Sequence, residues 1–330
     1  MIQGTMKLYA EGEYTYPAAY GFEPFLTSYL HEDGGDRPCI IVAPGGGYRF
    51  VSPTEGEIVA RTFYDLGYQA FVLTYTINLL DLCPLKMQPL HDISRAVRYV
   101  RKNADTFRIS RDSLAVCGFS AAGHLCASIA VHYMDDVETN PDYHDISNRP
   151  NAAILSYPVI TSGEFAHRDS FTALLGKDAT EEELHYMSLE TQVTKNTVPC
   201  FIWQTVTDEL VPVENAYLMS EALKKAGVPY AMHLFTDGKH GLSVATQDWA
   251  DNKYASLYNL AQIRAYADAA RDGRLPLPED KKEEFLRVFG GDQGPDFGEL
   301  PKEMKNKPNP EAAVWPILAD AWLRKTFDRQ

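Results

Sequence analysis

The chain has one serine, Ser120, whose neighbours suit nucleophilic chemistry. The segment Gly118-Phe119-Ser120-Ala121-Ala122-Gly123 follows a short apolar run and opens an apolar stretch that predicts a helix. Small residues allow the sharp strand-to-helix turn that exposes a nucleophilic serine. The helix N-terminus also favours the negative charge that develops when a serine attacks an acyl carbon. We therefore predict that Ser120 is a nucleophile. Ala122 stands where the pattern G-x-S-x-G has its last glycine, and an ordinary serine in a tight turn is the alternative.

A nucleophilic serine needs a base that takes its proton and a carboxylate that orients the base. Asp208 and His240 each come just after an apolar run. The carboxyl ends of parallel strands meet at one edge of a sheet, where sites collect. The order Ser, Asp, His is the order of the hydrolase triad. We predict that His240 is the general base and Asp208 its orienting carboxylate, although His240 taken alone would be interpreted as an ordinary loop histidine.

A glycine-rich segment, Pro44-Gly45-Gly46-Gly47-Tyr48, follows an earlier apolar run. Without side chains, its backbone N–H groups can point into a cleft. We predict that Gly46 and Gly47, together with the N–H of Ala121, form an oxyanion hole. A phosphate-binding loop or a flexible turn is the alternative, but no G-x-G-x-x-G pattern or Walker lysine supports nucleotide binding.

Short apolar runs alternate with amphipathic stretches along most of the chain. Runs that are apolar throughout are typical of strands covered on both faces of a parallel sheet. Strand–helix alternation predicts an α/β fold with a doubly wound, mostly parallel sheet. The segments around Lys7–Glu11 and Phe25–Leu30 are candidate antiparallel edge strands. The predicted strands are Pro38–Ala43, Gln69–Tyr75, Leu114–Gly118, Ala152–Tyr157, Pro199–Thr205 and Tyr230–Thr236, and the clearest helices are Pro53–Leu66, Pro89–Lys102 and Val213–Ala226.

Two segments interrupt this alternation within a single predicted domain, 1–330. Residues 160–198 exceed a simple crossover and predict a small partial cap. Residues 249–310 predict an insertion before a final helix, Glu311–Phe327, which carries Val314, Leu318 and Trp322 on one side. We expect the aromatic rings of the insertion to be buried against the site rim, the core or a second subunit, which leaves a homodimer possible. These rings are Trp249, Tyr254, Tyr258 and Tyr266.

Composition restricts the partners. The formal net charge is −14, which disfavours nucleic acid and anionic membrane surfaces. The five cysteines include no C-x-x-C pair, so we expect no disulfide framework. We expect neither a cofactor nor a metal, because no ligand motif occurs. The N-terminal residues have no apolar h-region, so we expect a cytoplasmic protein without a signal peptide. We expect His124 to pack or cap, and His91 and Asp92 to satisfy the N–H groups at a helix start.

These motifs together resemble the bacterial acetyl-xylan esterase and xylan-esterase-like branch of the α/β-hydrolases. The resemblance implies the α/β-hydrolase fold and a small acyl ester, acetyl foremost, on a xylose-based or related sugar. Tyr48, Glu55 and Trp203 are expected to line the substrate site. Gln204 and Lys239 depart from the residues that are common in this branch. The matching segments are Arg37–Tyr48, Phe50–Glu57, Pro89–Arg98, Gly118–Leu125, Leu174–Gly176, Asp208–Asn215 and His240–Ser243.

The triad does not distinguish the members of this superfamily, because the pocket sets the substrate. A feruloyl esterase, an arylformamidase and a small-peptide hydrolase remain alternatives that use the same residues. A hydrolase-fold binding protein without catalysis is an alternative of another class, which a broken triad would favour.

Overall fold

The computed structural model describes residues 1–136, 138–254, 257–291 and 306–328. Eight strands of this part of the chain form one sheet in the order β1-β2-β4-β3-β5-β6-β7-β8. Together with the helices described below, this sheet is an α/β-hydrolase fold. The strands are β1 (Ile2–Lys7), β2 (Phe25–Leu30), β3 (Arg37–Ala43), β4 (Gln69–Thr74), β5 (Ile109–Phe119), β6 (Ala152–Ser156), β7 (Cys200–Thr205) and β8 (Tyr230–Phe235).

The sheet is parallel except around β2, which pairs antiparallel with both β1 and β4. The prediction of a mostly parallel sheet is therefore confirmed, and the six predicted inner strands agree closely with β3 to β8. One strand is longer than predicted, since β5 already begins at Ile109. The prediction of a strand at Lys7–Glu11 is wrong, because the first strand is Ile2–Lys7.

The helices of the described residues connect the strands and extend the C-terminal third. They are α1 (Glu57–Asp65), α2 (Gln88–Lys102), α3 (Ala104–Phe107), α4 (Ala121–His132), α5 (Arg168–Leu175), α6 (Glu181–Tyr186), α7 (Glu214–Ala226), α8 (Gln247–Ala250), α9 (Leu260–Arg271), α10 (Glu279–Phe289) and α11 (Trp315–Phe327). No helix among these residues combines the length and the apolar character that crossing a bilayer requires.

Two neighbouring residues of β5 show that helices cover both faces of the sheet. A Cβ on Gly118 would lie 2.7 Å from the Sγ of Cys126 in α4, so Gly118 faces α4. The ring of Phe119 packs at 6.0 Å from that of Trp315 in α11. Because successive strand residues point to opposite faces, α4 and α11 lie on opposite faces of the sheet. The sheet is therefore doubly wound, as predicted.

The last helix begins at Trp315 rather than at Glu311, and of the residues predicted to share one side, Leu318 and Trp322 pack partly buried against the core. Trp315, Ala319 and Leu323 are fully buried, whereas Val314 is 46% exposed. Pro316 fits because it lies in the first turn, where no intrahelical partner is needed for its nitrogen. Trp315 also stacks on Trp203 at 5.3 Å, so α11 packs on the centre of the sheet.

The segments that interrupt the alternation are partly helical. Residues 160–198 contain α5 and α6, and their role as a cap stays a prediction. Trp249, Tyr258 and Tyr266 are 0%, 6% and 2% exposed, which confirms that these rings of the insertion are buried. Trp249 and Tyr258 belong to the main core, whereas Tyr266 joins a small second core with Phe285 of α10. Residues 255–256 and 292–305 of the predicted insertion lie outside the described residues.

Candidate active site

Ser120 lies at a strained turn between β5 and α4. Its φ is 54° and its ψ is −120°, a conformation that a residue with a side chain rarely adopts. The turn requires a glycine at 118, because a Cβ there would lie 1.9 Å from the backbone oxygen of Ala122. A glycine is also required at 123, where a Cβ would lie 2.7 Å from Pro158. The tight contacts hold the serine at the carboxyl edge of the sheet, and Ala122 fits there fully buried.

The structure brings the three residues of the predicted triad together. The Nε2 atom of His240 lies 2.8 Å from the Oγ of Ser120, and its Nδ1 lies 2.7 Å from the Oδ2 of Asp208. The carboxylate holds the proton on Nδ1, so Nε2 is left to accept the serine O–H; this tautomer follows from the hydrogen-bond network. Ser120 and Asp208 are 7% and 8% exposed, so the chain of hydrogen bonds is largely shielded from water.

The loops that carry Asp208 and His240 are tied to each other. Gly238 N–H donates to the Oγ1 of Thr207 at 2.9 Å, and the Oγ1 of Thr205 donates to the Gly238 carbonyl at 2.8 Å. These bonds join the segment after β7 to the segment after β8. The carboxylate and the imidazole are thus held in register by the backbone that leads to each of them.

The glycine-rich loop after β3 packs against Ser120. A Cβ on Gly45 would lie 2.6 Å from the backbone oxygen of Phe119 and 3.1 Å from the Cβ of Ser120, so a larger residue would clash there. Gly46 and Gly47 have φ values of 130° and 63°, which side chains disfavour. In the part of the chain that the structure describes, no hydrogen bond engages the N–H groups of these two glycines. Ala121 is the first residue of α4, whose N–H a helix leaves without an intrahelical partner.

The three side chains expected to line the substrate site lie behind it, which corrects that expectation. Tyr48 is 1% exposed, and its hydroxyl lies 2.9 Å from the Nδ1 of His124. Trp203 is fully buried and donates from Nε1 to the Oγ of Ser156 at 2.7 Å. Glu55 is 4% exposed and binds groups of the chain itself. All three support the loops of the site, because buried side chains with such partners do not face an open cleft.

Sequence analysis missed Tyr157, which directly follows β6 at the edge that carries the triad. Its ring stands edge-on to His240, with the ring centroids 5.0 Å apart. Its hydroxyl donates to Glu55 at 2.6 Å and accepts the N–H of Ser243 at 3.0 Å. Tyr157 is the last residue of the predicted strand Ala152–Tyr157, so its place at the carboxyl end of a strand was the available signal for this tyrosine.

A second missed residue is His167, just before α5. Its Nδ1 lies 2.8 Å from the Oγ of Ser170, which in turn would lie 4.0 Å from a Cβ on Gly47. Burial and the charge of His240 lower the pKa of His167, so the two imidazoles are close enough to interact. The segment 160–198 thus contributes a polar pair beside the glycine-rich loop.

His124 and His91 have structural partners. His124 is fully buried and lies 2.9 Å from the carbonyl oxygen of Met187, so the expectation of a packing role is confirmed. The expectation that His91 and Asp92 serve a helix start is wrong. Asp92 accepts from the N–H and the hydroxyl of Thr76, at 2.8 and 2.6 Å, and so anchors the segment after β4. Burial raises the pKa of Asp92 to about 6. His91 pairs with Asp136.

The described residues include no group of three or more His, Cys, Asp or Glu side chains that could hold a metal ion. The arrangement of Ser120, His240 and Asp208 suits nucleophilic acyl transfer. A shielded serine, a base within hydrogen-bond reach and an oriented carboxylate provide the nucleophile. The N–H groups of Gly46 and Gly47 make no hydrogen bond among the described residues, so the oxyanion hole predicted for this loop and Ala121 stays a prediction.

Comparison of the chain with known proteins identifies its family. The profile of the BD-FAE family matches residues 28–223, which is more than half of the chain. The chain is 50% identical over 252 residues to a protein named endo-1,4-beta-xylanase B from Butyrivibrio fibrisolvens, a match that covers 75% of this chain and 40% of that protein. It is 29% identical over 336 residues to a protein named acetylxylan esterase from Xylanibacter ruminicola, covering 99% of this chain and 63% of that protein. The chain thus spans less than two thirds of either relative.

A solved structure supports the same assignment. The acetyl ester-xyloside bifunctional hydrolase from Caldicellulosiruptor lactoaceticus superposes with a TM-score of 0.68 and is 35% identical. That match covers 76% of this chain and 93% of that one. The chain therefore belongs to the BD-FAE family, in the xylan-esterase-like branch of the α/β-hydrolases.

Proposed function

We propose that the chain is a serine esterase that removes small acyl groups, acetyl foremost, from the hydroxyls of xylo-oligosaccharides or related sugars. One observation carries the chemistry. Ser120, at its strained turn, is hydrogen-bonded to His240 at 2.8 Å, and His240 is hydrogen-bonded to Asp208 at 2.7 Å. The names of two relatives, an acetylxylan esterase and an acetyl ester-xyloside bifunctional hydrolase, support the acetyl group and the sugar.

The reaction follows from these positions in two halves. His240 takes the proton of Ser120 while the Oγ attacks the ester carbonyl, and the negative charge on the carbonyl oxygen is stabilised by the N–H groups of Gly46, Gly47 and Ala121. His240 then gives its proton to the departing sugar oxygen, which leaves an acyl group on Ser120. Water attacks this acyl-enzyme in the second half, with His240 again accepting and returning the proton.

Asp208 stabilises the imidazolium that forms in each half. Its Oδ2 faces the Nδ1 of His240, and its Oδ1 accepts the N–H groups of Leu210 and Val211 at 3.0 and 2.9 Å. These two backbone bonds fix the orientation of the carboxylate toward His240. The charge that His240 acquires is therefore met by a fixed negative partner.

The net charge is consistent with the proposed substrate class. A chain with a formal net charge of −14 disfavours strongly anionic substrates, whereas acetylated neutral sugars carry no charge.

Cleavage of a xyloside is a second candidate, since two similar proteins carry xylanase or xyloside in their names. The xylanase match covers only 40% of that protein. Glycosidases use two carboxyl groups that flank the bond, one of which must act as an acid. Among the described residues of the site, the carboxylates Asp208 and Glu55 are both buried and already hydrogen-bonded within the chain. The site geometry thus supports ester hydrolysis over glycoside hydrolysis.

The test is a release assay with purified protein and its Ser120→Ala variant. Substrates are 4-nitrophenyl esters of acetate, propionate and butyrate, methyl ferulate, acetylated xylo-oligosaccharides and 4-nitrophenyl xyloside. We expect acetate to be the best acyl group, because each extra methylene in a confined pocket changes selectivity by about 1–3 kcal/mol. Ser120→Ala should lower kcat by several orders of magnitude, on the order of 10⁶-fold in well-studied serine hydrolases. Ser110→Ala, at the other end of β5, is the matched control and should keep full activity.

Each part of the proposal has its own contrary result. An unchanged kcat in Ser120→Ala would contradict the serine mechanism. Rates that peak at butyrate or ferulate would contradict the acetyl assignment and leave an esterase. Release of 4-nitrophenol from the xyloside that survives Ser120→Ala would indicate a glycosidase site elsewhere in the chain.

A further inference from the structure

A buried carboxylate without a cationic partner lies directly behind the candidate site. Glu55 is 4% exposed, and among the described residues no lysine or arginine forms an ion pair with it. Its Oε2 accepts the N–H of Gly45 at 2.8 Å, and its Oε1 accepts the hydroxyl of Tyr157 at 2.6 Å. Removing a charge from water is costly unless hydrogen bonds compensate it, and here two donors do so.

The two donors belong to the two loops that the reaction needs. Gly45 directly precedes the predicted oxyanion glycines. A Cβ added to Gly45 would lie 3.1 Å from the Cβ of Ser120, so the two residues are in close contact. The hydroxyl of Tyr157 also accepts the N–H of Ser243, three residues after His240. The tyrosine ring itself packs edge-on against His240, at 5.0 Å between centroids. One carboxylate and one hydroxyl therefore connect the oxyanion loop to both the histidine and the loop that follows it.

Backbone strain is concentrated on the same connection. Ser120, Tyr157 and Ser243 have φ values of 54°, 36° and 51°, all in the left-handed region that favours glycine. Such strain persists only where the surroundings hold a residue firmly, and it collects at functional sites. The carbonyl of Ser243 is also fixed, by the Nε1 of Trp315 at 2.8 Å.

We propose that Glu55 and Tyr157 act together as positioning residues, which hold the oxyanion donors and His240 in register around Ser120. The inference rests on the proposed function, since it assigns these residues a task in that reaction. Neither side chain touches the substrate. Their effect on rate is large because a displacement of about 1 Å in a catalytic group can cost about 100-fold.

The electrostatics agree with this arrangement. Burial raises the pKa of Glu55, whereas the bonds from Tyr157 and Gly45 and the charge of His240 act in the opposite direction. Glu55 and His240 therefore interact, although no hydrogen bond joins them.

Two variants break the connection from its two ends. Tyr157→Phe keeps the ring against His240 and removes the hydroxyl that joins Glu55 to Ser243. Glu55→Gln keeps the volume and can still accept from Gly45, so it tests the connection even if Tyr157→Phe fails to fold. We expect each variant to lower kcat for 4-nitrophenyl acetate by about 10- to 100-fold. We expect KM to change by less than about three-fold, because the bound ester does not touch either residue.

The matched control is Tyr68→Phe. Its hydroxyl donates to the Oδ1 of Asp320 at 2.8 Å, a partly buried tyrosine–carboxylate bond outside the loops that carry the triad. This variant should lose stability in urea unfolding and keep its kcat. A second readout is the affinity for a small alkylboronic acid, which forms a tetrahedral adduct on a serine. A transition-state mimic should lose affinity in parallel with kcat/KM if the oxyanion donors are misplaced.

The double variant decides whether the two residues act as one unit. If they do, the double variant Glu55→Gln with Tyr157→Phe should lose no more activity than the single variant that has the lower kcat. The proposal would be overturned if the losses of the two single variants multiply in the double variant. It would also be overturned if the single variants keep a kcat near that of the unsubstituted chain, or if their boronic-acid affinity is unchanged. These outcomes are distinct from a failure of the proposed function, which Ser120→Ala would show by retaining activity.

Discussion

Asp208 and His240 are joined by a 2.7 Å bond between Oδ2 and Nδ1, and the other carboxylate oxygen is held by the N–H groups of Leu210 and Val211. This geometry makes the effect of Asp208→Asn specific. The amide oxygen can keep the two backbone bonds, so the amide nitrogen would face His240 and favour the wrong imidazole tautomer. We expect kcat to fall by about 10³- to 10⁴-fold with the fold retained, as measured with 4-nitrophenyl acetate and circular dichroism.

Glu209→Gln is the matched control for this variant. Glu209 is the exposed neighbour of Asp208 and should tolerate the same change from acid to amide. Near-normal activity of Asp208→Asn, with a loss in Glu209→Gln or Glu214→Gln, would assign the orienting carboxylate to one of those glutamates.

The alternation of apolar runs and amphipathic stretches was enough to predict most of the sheet, because buried parallel strands are apolar throughout. The run Leu114–Gly118 predicted the end of β5 but not its start at Ile109, since Arg111 and Asp112 are exposed there. The first strand was also misplaced. Ile2–Lys7 is an edge strand with little burial, so it lacks the apolar pattern that marked the others.

The site was predictable where a residue type and its place after a strand pointed to the same chemistry. Ser120, Asp208 and His240 meet both conditions, and the structure brings them into contact. Tyr48 was assigned to the substrate from its place after the glycine-rich loop, and Glu55 lies in a segment that carries the family resemblance. Whether such a residue faces the cleft or the interior depends on long-range partners, such as Tyr157 for Glu55, which the sequence does not reveal.

We predict that His167 contacts the alcohol part of an ester. Its Nδ1 lies 2.8 Å from Ser170 beside the glycine-rich loop, and no hydrogen bond engages its Nε2 within the described segments. A free ring nitrogen near the nucleophile can bind a sugar hydroxyl, which 4-nitrophenyl acetate lacks. We expect His167→Phe to lower kcat/KM for acetylated xylo-oligosaccharides by about 3- to 10-fold, the value of one neutral hydrogen bond. The kcat/KM for 4-nitrophenyl acetate should change little in the same variant.

The control for this comparison is His185→Phe, which alters an exposed histidine in α6 of the same segment. A similar loss on both substrates would instead indicate that His167 supports the glycine-rich loop through Ser170. No loss on the sugar ester would remove His167 from substrate recognition.

His124 should make the stability of the fold depend on pH. Burial lowers its pKa to about 4, from an ordinary value of 6.5. Between these two values the unfolded chain binds a proton that the folded chain does not, so the free energy of unfolding falls as the pH drops from 6.5 to about 4. The full difference is worth about 3 kcal/mol, and below the lower value this histidine causes no further loss.

Urea unfolding of His124→Gln tests this dependence. The variant should be less stable at neutral pH, because it disturbs the contacts with Tyr48 and Met187 at 2.9 Å each. Its free energy of unfolding should nevertheless vary less between about pH 4 and pH 7, since glutamine does not titrate. The control is His185→Gln, which replaces an exposed histidine. Its free energy of unfolding should keep the pH dependence of the unsubstituted chain. The same slope in all three proteins would mean that other groups account for the acid sensitivity and that His124 is not its source.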